Sequence, residues 1–212
     1  MNLLENLKWR YATKQFKTTE KVSEKNLEQI KKAIQLSASS YGLQLYKVLI
    51  IDDDALKETL KLVSMGQAQI TDASHLFVFC NYTEVNNSAI DEYLELQANT
   101  QQLSINELSG YGDFLKKLIN KKRKIELQNW TARQTYLALG NLLVACAELK
   151  IDACPMEGFD SEKYNTILGL NERGLSASVI ATIGYRSKDD ATQYSNKIRK
   201  PFDKLFEIRT DQ

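Results

Sequence analysis

Residues 130–159 read WTARQTYLALGNLLVACAELKIDACPMEGF, and the interpretation of this stretch decides the fold. From Thr131 to Leu149 it is apolar on nearly every face, interrupted by Arg133, Gln134, Thr135, Asn141 and Glu148. Ala, Leu, Arg, Gln and Glu are good helix formers, which predicts a helix. A helix apolar all round belongs in an interior. The uncharged interval between Arg133 and Glu148 is shorter than the roughly 18 residues a bilayer span needs, so the expectation is a central core helix. Thr131 followed by Gln134 fits a capping box at its start. Leu137, Leu139, Leu142, Leu143 and Val144 would anchor the core at ~1.5–3 kcal/mol per fully buried side chain. Ile151 to Cys154 and then Pro155-Met156-Glu157-Gly158-Phe159 follow. A rigid proline, a carboxylate and a glycine in a short apolar loop let backbone approach a ligand closely, although a plain turn fits the same five residues.

The chain of 212 residues is long enough for a real core and is expected to form a single domain, 1–212. Lys plus Arg number 28 and Asp plus Glu 27, so no overall field recruits nucleic acid or anionic lipid. The basic run from Lys116 to Lys124 reads as a solvated helix face. Cys80, Cys146 and Cys154 are odd in number, lack a CxxC and sit in apolar runs. Buried reduced thiols in a cytoplasmic protein are expected, not a disulfide framework or a metal site. Met1 to Leu7 lacks a basic start followed by an apolar run, so no signal peptide is expected.

Leu3, Leu4 and Leu7 suggest a short helix ending near Trp9-Arg10, followed by the basic, aromatic-laced segment KWRYATKQFK (8–17). Ser23 looks like an N-cap for a helix with the stripe Leu27, Ile30, Ile34. Residues 37–42 form a loop of small hydroxyl residues, and Tyr46–Ile51 a strand. Asp53 or Asp54 caps a helix carrying Leu56, Leu60 and Val63, and Met65–Thr71 is a polar loop. His75–Tyr82 is apolar on both faces and predicts a central strand, with His75 structural and not catalytic. Ser88 with Asp91 resembles another helix start. Ser104–Asp113, with Gly110 and Gly112, reads as an excursion or lid, and Leu115–Leu127 as a basic helix. Asp160 begins a helix stopped by Gly169, Ser178–Tyr185 is a strand, and Leu205–Ile208 a short terminal strand. Strands and helices mix without strict βαβ alternation, which predicts α+β.

No GxGxxG follows a strand, and neither a P-loop nor a GxSxG elbow is present. With one histidine, a Ser-His-Asp triad is poorly supported, so demanding chemistry would need a cofactor. What remains are basic residues near the two ends: Arg10 and Lys14, then Lys197 and Arg199. If folding brought them together they would form a site for a phosphate monoester. As solvated cations at the termini they would do nothing of the kind.

The chain resembles the FMN-dependent nitroreductases over essentially its whole length, closest to the oxygen-insensitive NAD(P)H nitroreductase and flavin reductase branch. The resemblance rests on Arg10-Tyr-Ala-Thr-Lys14-Gln-Phe16, Ser37-Ala-Ser39-Ser40, Asp72-Ala-Ser-His75 with the following strand, Tyr136-Leu-Ala-Leu-Gly140-Asn141, Pro155-Met-Glu157-Gly158-Phe159 and Lys197-Ile-Arg199. It implies a mostly antiparallel central sheet flanked by helices, and an intertwined homodimer whose C-terminal tail reaches the partner. Two FMN molecules would sit at the subunit interface. By resemblance Arg10, Lys197 and Arg199 hold the flavin phosphate, and Lys14 lies near the N1/O2 edge. Ser39 and Ser40 come from the partner subunit, and Gln67 and Gln69 meet the pyrimidine edge. Pro155 to Gly158 run along the isoalloxazine, with the backbone N–H of Glu157 or Gly158 facing N5. Tyr11, Ala12, Ala38, Gly42, Tyr136 and Met156 complete the implied cofactor-lining set; Lys14, Glu157 and Gly158 are the implied catalytic positions. The implied reaction is ping-pong: NADH or NADPH reduces the flavin, then a small planar acceptor such as a quinone, nitroaromatic or free flavin takes the same place.

The chain departs from the family pattern at Tyr11 and Ala12, where His or Arg and then Ser usually stand, at Gly42 for a typical asparagine, at Leu45-Tyr46 for Pro-Trp, and at Gly66 for an amide. These departures motivate an alternative, a non-catalytic flavin-binding carrier or sensor. A specialised member of the fold with one dedicated substrate is a further one. The 104–124 excursion, the part that usually shapes substrate access, aligns poorly.

Overall fold

The computed structural model describes residues 3–210. Met1 and Asn2, on which the leader reading partly falls, lie outside the described residues. The elements in chain order are α1 (Leu3–Trp9), α2 (Glu24–Gln35), β1 (Tyr46–Ile51), α3 (Asp54–Leu62), α4 (Gln69–Asp72), β2 (His75–Tyr82), α5 (Asn87–Gln101), α6 (Ser109–Asn120), α7 (Lys124–Glu148), β3 (Asp152–Met156), α8 (Ser161–Ile167), β4 (Leu175–Gly184) and α9 (Phe202–Leu205). Every strand pairing is antiparallel, in the order β1-β2-β4-β3. The α+β expectation holds.

The period-2 alternation of β2 sorts its side chains into two cores. Leu76, Val78 and Cys80 pack with Leu60, Ile70 and Tyr164 on one face. Phe77 and Phe79 face the other way, into α2 and α7 through Ile30, Leu139 and Leu142. This is why β2 reads as a continuous apolar run. Asp53 caps α3 by accepting from the Leu56 N–H at 2.7 Å, and Ser23 caps α2 by accepting from Asn26.

The core helix is longer than expected. It begins at Lys124, where the Glu126 carboxylate accepts the Arg123 N–H at 2.9 Å. Thr131 is therefore an interior residue whose hydroxyl donates to the Tyr82 carbonyl at 2.7 Å, and the proposed Thr131–Gln134 box is corrected. The helix break falls at residues 121–123, not near Thr131, because charged Lys124-Ile-Glu126 is as helical as the apolar run after it. Leu139 and Leu142 are buried as expected, but Leu137 and Val144 are exposed at 51% and 40% in the single chain.

Other boundaries differ too. Asn86, not Ser88, caps α5, accepting from Ala89. The 65–71 loop contains the start of α4. The 104–113 excursion is a Ser104-capped turn running into α6, and Leu108, Leu115 and Ile119 bury a third core with α5. Gly112 lies inside α6, where a Cβ would come 2.6 Å from the Leu94 side chain, so the glycine permits this close helix approach. Residues 205–208 form no strand; Phe202–Leu205 is a helical turn. No helix among the described residues is long and apolar enough to cross a membrane, and the three cysteines are buried and free.

Candidate functional site

The segment 8–17 is clasped between two pieces of backbone. Ala12 forms a parallel bridge to Ala153 on the outer edge of β3, and Phe16 bridges Arg186 beyond β4. Lys17 N–H donates to the Tyr185 carbonyl and Ser187 N–H to the Gln15 carbonyl, both at 2.8 Å. The aromatic residues of the segment secure the join. Trp9 and Tyr11 lie against the Arg186 guanidinium, 4.3 and 4.6 Å from ring centroid to carbon. Arg186 in turn donates from Nε to the buried Asp152 carboxylate at 2.7 Å and from its backbone N–H at 2.9 Å. Asp190, also buried, accepts from the Tyr11 hydroxyl at 2.9 Å, Lys14 N–H at 2.8 Å, Gln15 N–H at 3.2 Å and Thr192 N–H at 3.0 Å. Burial alone would raise its pKa, but these donors outweigh it and hold the carboxyl below its ordinary value.

The clasp brings the chain ends together. Burial and then the repulsion of Arg199 lower the pKa of Arg10. Lys197 is lowered by burial and by Arg10, Arg199 and Arg186, and its ammonium donates to the Lys8 carbonyl. Among the described residues none of Arg10, Lys14, Lys197 and Arg199 has a carboxylate within ion-pair distance, whereas Arg186 has Asp152. Crowded cations without counter-ions form a site for a dianion.

Beside them lies the end of β3. Pro155 pairs with Ala181 in this edge strand, a place where a missing N–H costs nothing; Pro155 and Met156 are therefore strand residues and not a turn. Glu157 and Gly158 then leave the sheet. Met65 and Gly66, both left-handed, turn the chain so that Gln67 Nε2 donates to the Gly158 carbonyl at 2.8 Å and to Ser64 at 3.0 Å. Among the described residues the Gly158 N–H has no hydrogen-bond acceptor. Tyr136 donates to the Glu157 carboxylate at 2.6 Å. Gln69 is buried beside the Cys154 thiol, which burial pushes up in pKa while Lys14, and more weakly Arg10, pull it down.

Arg10 and Lys14 thus lie near Cys154 in the middle of β3 together with Gln69, Lys197 and Arg199 crowd Arg10, and Gln67 and Tyr136 bond to the Glu157–Gly158 loop that follows the strand. Tyr11 turns its side chain into Asp190, and Ala12 serves through its backbone bridge. The serine loop is placed elsewhere in the chain. Ser40 N–H donates to Gln134 Oε1 at 2.8 Å, Ser39 Oγ accepts from Gln44 N–H at 3.0 Å, and Ala38 is exposed. Gly42 is left-handed at φ 75° and a Cβ there would meet the Tyr93 hydroxyl at 3.0 Å. His75 bonds through Nδ1 to Ser74, whose hydroxyl accepts the Val22 N–H, as befits a structural residue. Asp152, Arg186 and Asp190 were not singled out in the sequence; the aromatic lacing of 9–11 was the only trace of them. A separate cavity of ≈ 430 Å³ includes Asn81, Asn165 and Ser176 at the far end of β2 and β4, but these side chains already bond to protein groups.

The nitroreductase family profile matches residues 7–185. A Staphylococcus aureus protein provisionally named an NAD(P)H nitroreductase is 32% identical over 97% of this chain and 94% of its own length. A Staphylococcus epidermidis structure provisionally described as an NAD(P)H:FMN oxidoreductase superposes with TM-score 0.88 at 18% identity, covering 98% of this chain and 96% of that one. An Exiguobacterium sibiricum structure, provisionally described as a nitroreductase in complex with FMN, gives TM-score 0.84 at 18% identity over 99% and 98%. The chain belongs to the nitroreductase family.

Proposed function

We propose that the protein is an FMN-dependent NAD(P)H oxidoreductase of the oxygen-insensitive nitroreductase branch, one cytoplasmic domain working as a homodimer. It would reduce small planar acceptors: nitroaromatics, quinones or free flavins. The observation that carries this reading is the crowding of Arg10, Lys197 and Arg199, cations from both chain ends that have no counter-ion among the described residues, with Arg10 also near Cys154 of β3.

The residues fit FMN. A phosphate dianion relieves the mutual repulsion of Arg10, Lys197 and Arg199, and their N–H groups offer it charge-assisted hydrogen bonds. Bound FMN supplies reversible hydride chemistry that no side chain of this protein offers. Lys14 provides a positive charge that favours an anionic ring. The Gly158 N–H, unengaged among the described residues, is a donor for a ring acceptor, and Gln67 keeps the loop in place through the Gly158 carbonyl. Gln69 contributes an amide beside Cys154. Tyr136 holds the Glu157 carboxylate at the rim, where it excludes water and sets the polarity met by an incoming acceptor. Ala38, Ser39, Ser40 and Gly42 serve the site from the second copy; in their own chain Ser40 bonds to Gln134 and Ser39 to Gln44. Leu137 and Val144, apolar and exposed, suit the interface between copies.

The visible spectrum of the purified protein tests the reading. A flavin band that bleaches on addition of NADH or NADPH is expected. Protein that stays colourless after incubation with FMN refutes it, and a band that does not bleach favours a flavin carrier or sensor.

A further inference from the structure

Residues 195–200, which carry Lys197 and Arg199, belong to no helix or strand. Their position therefore depends on what fastens the chain just before them. The backbone ties between the two ends, Lys17 to Tyr185 and Ser187 to Gln15, all lie upstream of residue 188. Past them, the Lys197 ammonium reaches the Lys8 carbonyl, but the side chain that makes several bonds between the segments is Asp190. One of its oxygens caps the turn Ala191–Tyr194 through Thr192 N–H. The other collects Tyr11 OH, Lys14 N–H and Gln15 N–H. A single buried carboxylate thus grips the segment that presents Arg10 and Lys14 and starts the one that presents Lys197 and Arg199.

We propose that Asp190 is a positioning residue for phosphate recognition: it sets the spacing between the N-terminal and C-terminal cations and so makes the site select a phosphorylated flavin over an unphosphorylated one. This rests on the FMN reading above. Both oxygens of Asp190 are occupied by protein donors, so its action runs through the cations. An aspartate suits the task because an ionised carboxylate accepts at both oxygens, whereas asparagine offers one acceptor and one donor.

Asp190→Asn tests this with flavin fluorescence titrations of FMN and riboflavin against wild-type and variant protein. The variant should bind FMN about tenfold to a hundredfold more weakly while riboflavin affinity stays within about twofold, so that the preference for FMN collapses. Equal loss for both flavins, or no loss for either, overturns the proposal, since a merely structural role does not distinguish the two ligands. If Asp190→Asn fails to fold, Tyr11→Phe removes one donor and should shift the FMN-to-riboflavin ratio in the same direction by about threefold; an unchanged ratio is equally contrary. Wild-type protein that binds neither flavin refutes the FMN reading itself, and this inference with it.

Discussion

Tyr136, on the core helix, donates its hydroxyl proton to the Glu157 carboxylate across 2.6 Å. Burial first, and then this bond and the Glu157 charge, push the Tyr136 pKa up to about 12. The folded state therefore holds the proton more tightly than the unfolded chain, whose tyrosines ionise near 10. The contribution is fully present below about pH 10 and is lost as pH rises through about 12. A difference titration of tyrosinate absorbance between wild type and Tyr136→Phe should show the missing tyrosine ionising late. A missing transition near 10 would contradict the bond.

The phosphate anchor makes a second prediction. Arg199→Ala should weaken FMN binding roughly tenfold to a hundredfold, since a charge-assisted bond contributes ~1.5–3 kcal/mol. Lys14→Met should move the midpoint potential of the bound flavin downward more than it changes affinity, because removing a cation disfavours the anionic reduced ring. Calorimetry and a spectroelectrochemical titration separate the two effects; unchanged affinity in Arg199→Ala would make that residue a bystander.

At Gly158 the space is occupied. An added Cβ would lie 3.1 Å from Gln67 Nε2 and 3.5 Å from Met65 Sδ. Gly158→Ala should displace Gln67, break its bond to the Gly158 carbonyl and cost about 1 kcal/mol. In a Gln67→Ala background the same substitution should cost much less. A double-mutant cycle in urea measures the coupling, and additive costs would show that the amide does not hold the loop.

The two faces of α7 should respond differently. Leu142→Ala, fully buried, should destabilise the fold by roughly 2–5 kcal/mol. Leu137 is half exposed, and Leu137→Arg should leave unfolding of dilute protein nearly unchanged while weakening self-association in sedimentation equilibrium. Unaltered association would remove α7 from the interface.

The strands and the amphipathic helix α2 were legible because side-chain periodicity reports burial directly: Leu27, Ile30 and Ile34 face the core as spaced. Apolarity could not say which partner covers a face, so Leu137 and Leu142 read alike although one is open in the single chain. The terminal segment 205–208 looked strand-like for the same reason, but Leu205 closes a helical turn and Phe206 packs back on Phe202 instead of pairing with the sheet. Arg10, Lys197 and Arg199 stood out by charge, but only the resemblance said that they converge, since nothing local in sequence brings two chain ends together. The carboxylates that do so, Asp152 and Asp190, resemble any surface aspartate until their donors are seen.

Pro155 has a consequence beyond its own strand. The outer rim of β3 is already occupied by the bridge from Ala12, and a proline there offers no amide to a newcomer. Among the described residues the sheet can accept an additional strand only along β1. Growth of the sheet, whether through assembly with a second molecule or through misassociation at high concentration, is thereby confined to one side and kept away from the cations at the other.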